Sequence, residues 1–349
     1  MTHTSVRASV VGATGYTGGE LVRLLRGHPH VELGSLVGHR SAGAPVAEAL
    51  PSLAGLVSGT IQSFDADRIA GESEVAFCGL PHGASAEAVD ALRARGVKVF
   101  DLSADFRLRN VDLYQEWYGA HPKPERLGEA VYGLVERHRH ALRAADLVAV
   151  PGCYPTASII PVAPIASRVS LQTPIIIDAK SGVSGAGRDA KPRTHFSETA
   201  EGFRAYAIAG RHRHTPEIEQ ELALAAGRAQ PIVFSPHLVP MIRGILATAY
   251  LTADRPLDPV ECTAWAREDY AGSPSVHVLD PDTYPDTAWV RGSNRLLLSY
   301  TQDARSGMIV AQGALDNLVK GAAGQAIQAM NVRFGWDEGA GLTSAATWP

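Results

Sequence analysis

A glycine-rich turn near the start of the chain restricts the possible folds most. Gly12-Ala13-Thr14-Gly15-Tyr16-Thr17-Gly18-Gly19 follows the β-branched run Val6–Val11 and precedes a helical stretch, residues 20–26. Glycine lets the backbone turn tightly and approach a pyrophosphate closely. The helix that follows offers free amides and the positive end of its dipole to phosphate. Between the first strand and the first helix, this pattern has the context that a dinucleotide-binding βα turn requires. Gly12, Thr14, Gly15, Tyr16, Thr17 and Gly18 are the expected cofactor contacts.

The segments that follow keep the alternation. Val31–Val37, residues 75–80, 97–102 and 146–150 read as strands, and residues 85–95 as a helix with Ala88, Val89 and Leu92 on one face. Such βαβ alternation predicts an α/β fold, with a doubly wound parallel (Rossmann) sheet in the N-terminal domain. The tract 108–127, rich in Tyr, Trp, Pro and charge, reads as an irregular ordered excursion. After about residue 150 the pattern changes. Residues 175–177, 231–234, 244–251 and 295–300 read as strands, several with no long helix between them, which predicts a mixed sheet in an α+β domain. Residues 216–228 (Thr215 as N-cap, Pro216 first in the helix), 258–270 and 316–332 read as helices. A chain of 349 residues exceeds one ordinary core, so a division near residue 150 is expected.

Charge and cysteine usage exclude several classes. A formal net charge of −4 gives no reason to expect nucleic acid or an anionic membrane as partner. No apolar run is long enough for a span, and the N-terminus lacks the apolar stretch of a secretory signal. Cys78, Cys153 and Cys262 are few, odd in number and far apart, which argues against a disulfide framework and for a reducing compartment. No Cys/His cluster has zinc spacing, and His212 with His214 lacks a matching third ligand, so no metal is expected.

The second strand ends in Val37-Gly38-His39-Arg40-Ser41-Ala42-Gly43, without the carboxylate that usually binds the ribose of NAD. Arg40 and Ser41 suit a 2′-phosphate, so the expected cofactor is NADP. Pro151-Gly152-Cys153-Tyr154-Pro155-Thr156-Ala157 joins a strand to an apolar helix over residues 158–168. A thiol at such a junction is biased toward thiolate, which makes Cys153 the candidate nucleophile. Cys78 and Cys262 read as small buried side chains.

Arg211-His212-Arg213-His214-Thr215-Pro216-Glu217 places two imidazoles and two guanidinium groups just ahead of a helix. His214 is the chosen acid/base and His212 the reserve. Glu217 either orients an imidazole or complements the helix dipole. Ser181-Gly182-Val183-Ser184-Gly185-Ala186-Gly187-Arg188 is a second anion-friendly turn, for substrate phosphate or the nicotinamide, with a surface loop as the alternative. Arg107, Arg211 and Arg243 are candidates for the carboxylate and phosphate of an anionic substrate.

Taken together, Gly12 to Gly19, Leu80-Pro81-His82-Gly83, Asp101-Leu102-Ser103-Ala104-Asp105-Phe106-Arg107, Tyr132-Gly133-Leu134, Pro151 to Ala157, Ser181 to Arg188, His212 to Ile218 and Asp316-Asn317-Leu318-Val319-Lys320-Gly321 resemble the N-acetyl-gamma-glutamyl-phosphate reductase family. The resemblance runs from the first strand to the last helix. It implies the fold of aspartate-semialdehyde and glyceraldehyde-phosphate dehydrogenases. Residues 1–150 would form the NADP-binding Rossmann domain, completed by a C-terminal helical segment, 314–349, and residues 151–313 the catalytic and oligomerisation domain. It adds cofactor contacts at Cys78, Leu80, Pro81, His82, Ser184, Gly185 and Asn317, and substrate contacts at Ser181 and Gly182 beside the three arginines. It also implies arginine biosynthesis from glutamate, a bacterial cytoplasmic setting and a homo-oligomer, tetramer or dimer. In the implied reaction Cys153 attacks N-acetyl-L-glutamyl 5-phosphate, phosphate leaves a thioester, and NADPH reduces it to the 5-semialdehyde. The competing readings are reductases of aspartyl phosphate or of carrier-bound aminoadipyl phosphate, and a non-catalytic NADP sensor. The absence of a concentrated basic run disfavours an acidic carrier protein.

Overall fold

The computed structural model describes residues 5–172 and 174–348. The chain divides into two compact units, one of Met1–Pro151 with Ala322–Thr343, the other of Gly152–Gly321 with Ser344–Pro349.

The first unit is built on six strands: β1 (Val6–Val11), β2 (Val31–Val37), β3 (Val75–Cys78), β4 (Lys98–Asp101), β5 (Ala130–Tyr132) and β6 (Leu147–Ala149). They lie in the order β2-β1-β3-β4-β6-β5, and every neighbouring pair is parallel. Every residue of β3 and β6 is buried, as strands covered on both faces require, so they read as unbroken apolar runs. The helix Ala84–Arg93 puts Ala86, Val89 and Leu92 into one core with Val11, Cys78 and Val99. Chain order reverses at β1, whose neighbours are β2 and β3, and the crevice beyond the carboxyl ends of β1 and β3 is where doubly wound sheets take ligands. The helix Gly324–Phe334 completes this unit. Gln325 Nε2 donates to the Gly133 carbonyl at 2.7 Å, and Arg333 reaches the Ala145 carbonyl and the Asp146 carboxylate.

The tract 108–127 is more regular than its composition suggests. It contains the helix Val111–Tyr118, whose N-cap Asn110 accepts the amides of Asp112 and Leu113.

The second unit carries β7 (Ile175–Ser181), β8 (Arg204–Ala205), β9 (Ile232–Leu238), β10 (Ile245–Leu251), β11 (Val276–Val278), β12 (Leu296–Gln302) and β13 (Ile309–Leu315). The order is β11-β12-β13-β10-β7-β9-β8; β11/β12 and β7/β9 are parallel and the other pairs antiparallel. The sheet is mixed, as expected.

The helix Cys153–Ala166 is buried from Tyr154 to its end, which is why it is apolar all round. It begins at Cys153, five residues before the start the sequence suggested. Its internal prolines leave carbonyls without helical partners. Pro164 cannot donate to the Ile160 carbonyl, and the Tyr270 hydroxyl does so instead at 2.6 Å. Opposite the Ala157 carbonyl, released by Pro161, lies Gly313 of β13, where a Cβ would come within 2.5 Å of that oxygen. Proline in the helix and glycine in the strand therefore permit one close approach.

Two helix ends differ from expectation. Thr215 is the first residue of the helix Thr215–Ala226, and His214 holds the N-cap position without a side-chain cap. The stretch expected as one helix over 316–332 begins with a π-turn, Val319–Ala323. Among the described residues no helix is long and apolar enough to cross a membrane.

Candidate active site

In the second unit, Gly152 occupies the N-cap position with extended backbone (φ −66°, ψ 154°), and Cys153 is the first helical residue. The first turn carries no acidic side chain. The half-buried thiol thus sits at the positive end of a 14-residue helix, which favours its anion. Cys78 and Cys262 are buried, and burial pushes the Cys78 thiol far up and the Cys262 thiol up to about 12.

The carboxylate of Glu217 is buried and accepts the Gly152 N–H at 2.8 Å. It anchors the residue before the nucleophile, a role neither sequence reading offered. The Tyr206 hydroxyl donates to that of Tyr154 at 3.0 Å. Burial drives both phenols up, and the nearby Cys153 sulfur adds to this for each.

The His212 ring lies edge-on to Tyr154, Tyr206 and Phe234, with centroids 5.5, 5.5 and 5.2 Å away. Its Nδ1 accepts the His214 N–H at 3.0 Å, so the neutral ring carries its proton on Nε2. Burial, then the His214 ring, pull its pKa down to about 3, while Glu217 acts against them. The His214 ring lies 4.8 Å from His212 and 6.0 Å from Tyr154. Cys153, His212, His214 and Glu217, four residues the sequence singled out, are therefore gathered around Tyr154 and Gly152. The chain enters this cluster through left-handed backbone at Ala207 and Ala209 (φ 46° and 58°), strain of the kind often stored at functional sites.

The glycine loop after β7 is built against residues 241–244, which lead into β10. A Cβ on Gly182 would lie 2.6 Å from the Ile242 carbonyl oxygen. The amides of Val183 and Ser184 donate to Met241 and Ile242. Asn317 bridges the two segments, with Nδ2 donating to Ser184 Oγ at 3.0 Å and Oδ1 accepting the Gly244 N–H at 2.8 Å. The structure thus brings Ser184, Gly185 and Asn317 together. The Ser181 hydroxyl donates to the Gly182 carbonyl. Arg243 pairs with the buried Asp316 carboxylate at 3.5 Å, and Arg211 is exposed.

In the first unit, Gly15 is the N-cap of the helix Tyr16–Leu25, whose first turn also lacks acids. The amides of Gly12 and Ala13 donate to the Val37 carbonyl and pin the loop to the end of β2. A Cβ on Gly18 would lie 2.1 Å from the Gly12 oxygen, and one on Gly12, at φ +88°, 2.5 Å from the Gly79 oxygen. This tight, acid-free cradle around Thr14 and Thr17 fits a pyrophosphate. Arg40 is exposed and Ser41 half-buried just beyond β2. Leu80 is half-buried, Pro81 and His82 are exposed, and the thiol of Cys78 lies in the core. Arg107 is buried here, donating to the carbonyls of Val150 and Leu102 at 2.8 Å each.

Sequence reasoning assigned no role to Tyr206, Asp316 or the buried pair Asp101 and Asp105. Asp105 accepts the amides of Gly83 and Ala86 at the start of the helix Ala84–Arg93, so it shapes the 80–83 loop. Asp101 accepts the hydroxyls of Ser85 and Ser103 at 2.6 Å each. Their spacing in Asp101-Leu102-Ser103-Ala104-Asp105 was the available signal.

Comparison with known proteins agrees with this anatomy. The semialdehyde dehydrogenase NAD binding domain matches residues 7–145, and the semialdehyde dehydrogenase dimerisation domain matches residues 153–317. The N-acetyl-gamma-glutamyl-phosphate reductase of Moorella thermoacetica is 47% identical over 335 residues, 95% of this chain and 96% of that one. The chain belongs to the N-acetyl-gamma-glutamyl-phosphate reductase family. The family member from Geobacter sulfurreducens is 45% identical over 99% of this chain and all of its own. Among solved structures, the fold is shared with aspartate semialdehyde dehydrogenase II of Vibrio cholerae (TM-score 0.71, 17% identity, 94% of this chain and 98% of that one). The aspartate semialdehyde dehydrogenase of Candida albicans, solved with NADP, gives a TM-score of 0.71 at 16% identity over 95% of this chain and 99% of that one. Membership of this oxidoreductase family accords with a nicotinamide-cofactor domain joined to a thiol-bearing one.

Proposed function

We propose that this protein reduces N-acetyl-L-glutamyl 5-phosphate to N-acetyl-L-glutamate 5-semialdehyde and phosphate, with NADPH, through a thioester on Cys153. The observation that carries the reading is Cys153 at the acid-free N-terminus of a buried helix, with Tyr154, His212, His214 and Glu217 around it. Near-full-length relatives named for this reaction support the choice of acyl group.

The Cys153 thiolate attacks the acyl carbon, and phosphate departs with the P–O–C oxygen. The helix N-terminus lowers the energy of the sulfur anion. When bound, NADPH supplies the hydride that turns the thioester carbon into a thiohemiacetal. His214 exchanges the proton as that centre collapses and the sulfur leaves. His212, neutral and with its proton on Nε2, serves as a hydrogen-bond donor in the same cluster. Arg211 and Arg243, with Arg107, Ser181 and Gly182, are assigned to the anionic groups of the substrate.

Gly12, Thr14, Gly15, Tyr16, Thr17, Gly18, Cys78, Leu80, Pro81 and His82 are assigned to the dinucleotide, with Ser184, Gly185 and Asn317. Arg40 and Ser41 are assigned to the 2′-phosphate, which makes the cofactor NADP. The first unit acts as the cofactor domain and the second as the catalytic and oligomerisation domain of a homo-oligomer. Three cysteines outside any disulfide, far apart in the chain, favour a cytoplasmic setting.

The test is phosphate-dependent reduction of NADP in the presence of the semialdehyde, run beside the aspartyl analogue. A strong preference for the acetylated glutamyl compound is expected. Equal or better turnover of the aspartyl compound overturns the substrate assignment.

A further inference from the structure

A buried carboxylate to which the sequence assigned no role lies just beyond the end of β13. Asp316 is fully buried. Its Oδ1 accepts the amides of Leu318 and Val319 at 2.8 and 3.2 Å, and its Oδ2 accepts the Gly292 N–H at 2.7 Å. The same Oδ2 faces Arg243 Nη1 at 3.5 Å, in a pair whose arginine side chain is 27% exposed and whose acid is 0% exposed. The main-chain oxygen of Asp316 accepts the Gly321 N–H at 2.9 Å, an i to i+5 bond that leads into the π-turn Val319–Ala323. That turn meets the nucleophile at its middle residue, Gly321. A Cβ on Gly321 would lie 2.8 Å from Cys153 Cβ and 3.2 Å from Leu315 Cδ1.

These contacts make one device. Burying a carboxylate is unfavourable unless its oxygens are hydrogen-bonded and its charge paired, and here three amides and one guanidinium do this. The Asx-type bonds to residues 318 and 319 force the chain out of strand geometry into a wide turn. The turn needs a residue without a side chain where it meets Cys153, and Gly321 is there. Short π-turns are found often at functional sites. The Arg243 side chain stays partly exposed beside the buried acid that holds it.

We propose that Asp316 is a positioning residue for the reaction, which seats Gly321 against Cys153 through the π-turn and aims Arg243 at the anionic group of the acyl substrate. The Arg243 arm rests on the function proposed above; the Cys153 arm rests on geometry alone. Asp316 itself takes no part in bond making.

The test compares the full-length parent with Asp316→Asn, Arg243→Gln, the double variant and Gly321→Ala. Two readouts are used: KM for the acyl phosphate, and the rate of Cys153 alkylation by iodoacetamide across pH. Cys78 and Cys262 are buried, so alkylation reports Cys153. Asp316→Asn should raise KM about tenfold and shift the alkylation rate at least about threefold, with NADPH affinity unchanged. Adding Asp316→Asn to Arg243→Gln should leave KM within about twofold of Arg243→Gln, because one interaction is lost only once. A folded Asp316→Asn with parental KM and alkylation overturns the proposal, as do losses that multiply in the double variant. Should Asp316→Asn not fold, Gly321→Ala decides: a shifted alkylation profile with NADPH binding retained is expected, and a parental profile overturns it. A parent inactive on the acyl phosphate sinks the proposed reaction, and the alkylation readout still judges Asp316.

Discussion

The Glu217 carboxylate accepts the Gly152 N–H at 2.8 Å, so an acid on one helix anchors the residue before the nucleophile on another. Glu217 is only 1% exposed. Glu217→Ala should destabilise the protein by about 2–4 kcal/mol, because it leaves a buried amide unsatisfied and opens a cavity. Glu217→Gln keeps an acceptor oxygen and should cost less than half as much. Urea denaturation of both variants checks this, and equal losses would mean that the bond to Gly152 is not what Glu217 contributes.

His212 should remain neutral through the working pH range. Its folded pKa of about 3 lies below the ordinary 6.5, so the unfolded chain takes up the proton first. The stability this ring contributes is therefore full above pH 6.5 and is lost as pH falls toward 3. Nitrogen-resolved NMR should show an Nε2–H tautomer for His212 with no titration between pH 8 and pH 5, within about a unit. An imidazolium at pH 6 would contradict the geometry around its Nδ1.

Asp101 should behave in the opposite sense. Burial, against the hydroxyl bonds from Ser103 and Ser85, raises its pKa from 3.8 to about 6. Its contribution to stability is full below pH 3.8 and is lost as pH rises through 6. Asp101→Asn imitates the protonated acid, and above pH 6 it should melt higher than the parent, by an amount on the order of 2–3 kcal/mol. Thermal melts from pH 4 to pH 8 measure this. A variant less stable than the parent at pH 8 would show that the charged form is the one the site favours.

The dinucleotide loop offers two separable variants. Gly18→Ala places a Cβ 2.1 Å from the Gly12 oxygen, so NADPH and NADH binding should fall together. Arg40→Ala should weaken NADPH about tenfold and leave NADH nearly unchanged, because only the 2′-phosphate is lost. Fluorescence titration with both nucleotides separates the cases, and equal weakening by Arg40→Ala would remove the argument for NADP.

Much of the fold was legible because local signals and burial agree. Val6–Val11 and Val31–Val37 were placed to the residue, since β-branched runs end there in glycine or turn residues. β13 was missed because Ile309–Leu315 is rich in Gly, Ala and Gln; its small residues serve the close approach at Gly313, which only packing reveals. The helix Val111–Tyr118 was hidden by its aromatic and charged content, although Asn110 was a visible cap. Cys153 was found because chemistry and turn context coincide within a few residues. Asp316 and Tyr206 were missed because their partners, Arg243 and Tyr154, lie 73 and 52 positions away in the sequence.

The thioester on Cys153 is the central claim, and intact-mass analysis tests it most directly. The protein is mixed with N-acetyl-L-glutamyl 5-phosphate in the absence of NADPH. One N-acetylglutamyl group should appear on the chain, map to Cys153, be released by hydroxylamine and be absent in Cys153→Ala. Turnover of the acyl phosphate by the parent with no adduct at Cys153, or near-parental turnover by Cys153→Ser, would contradict the account.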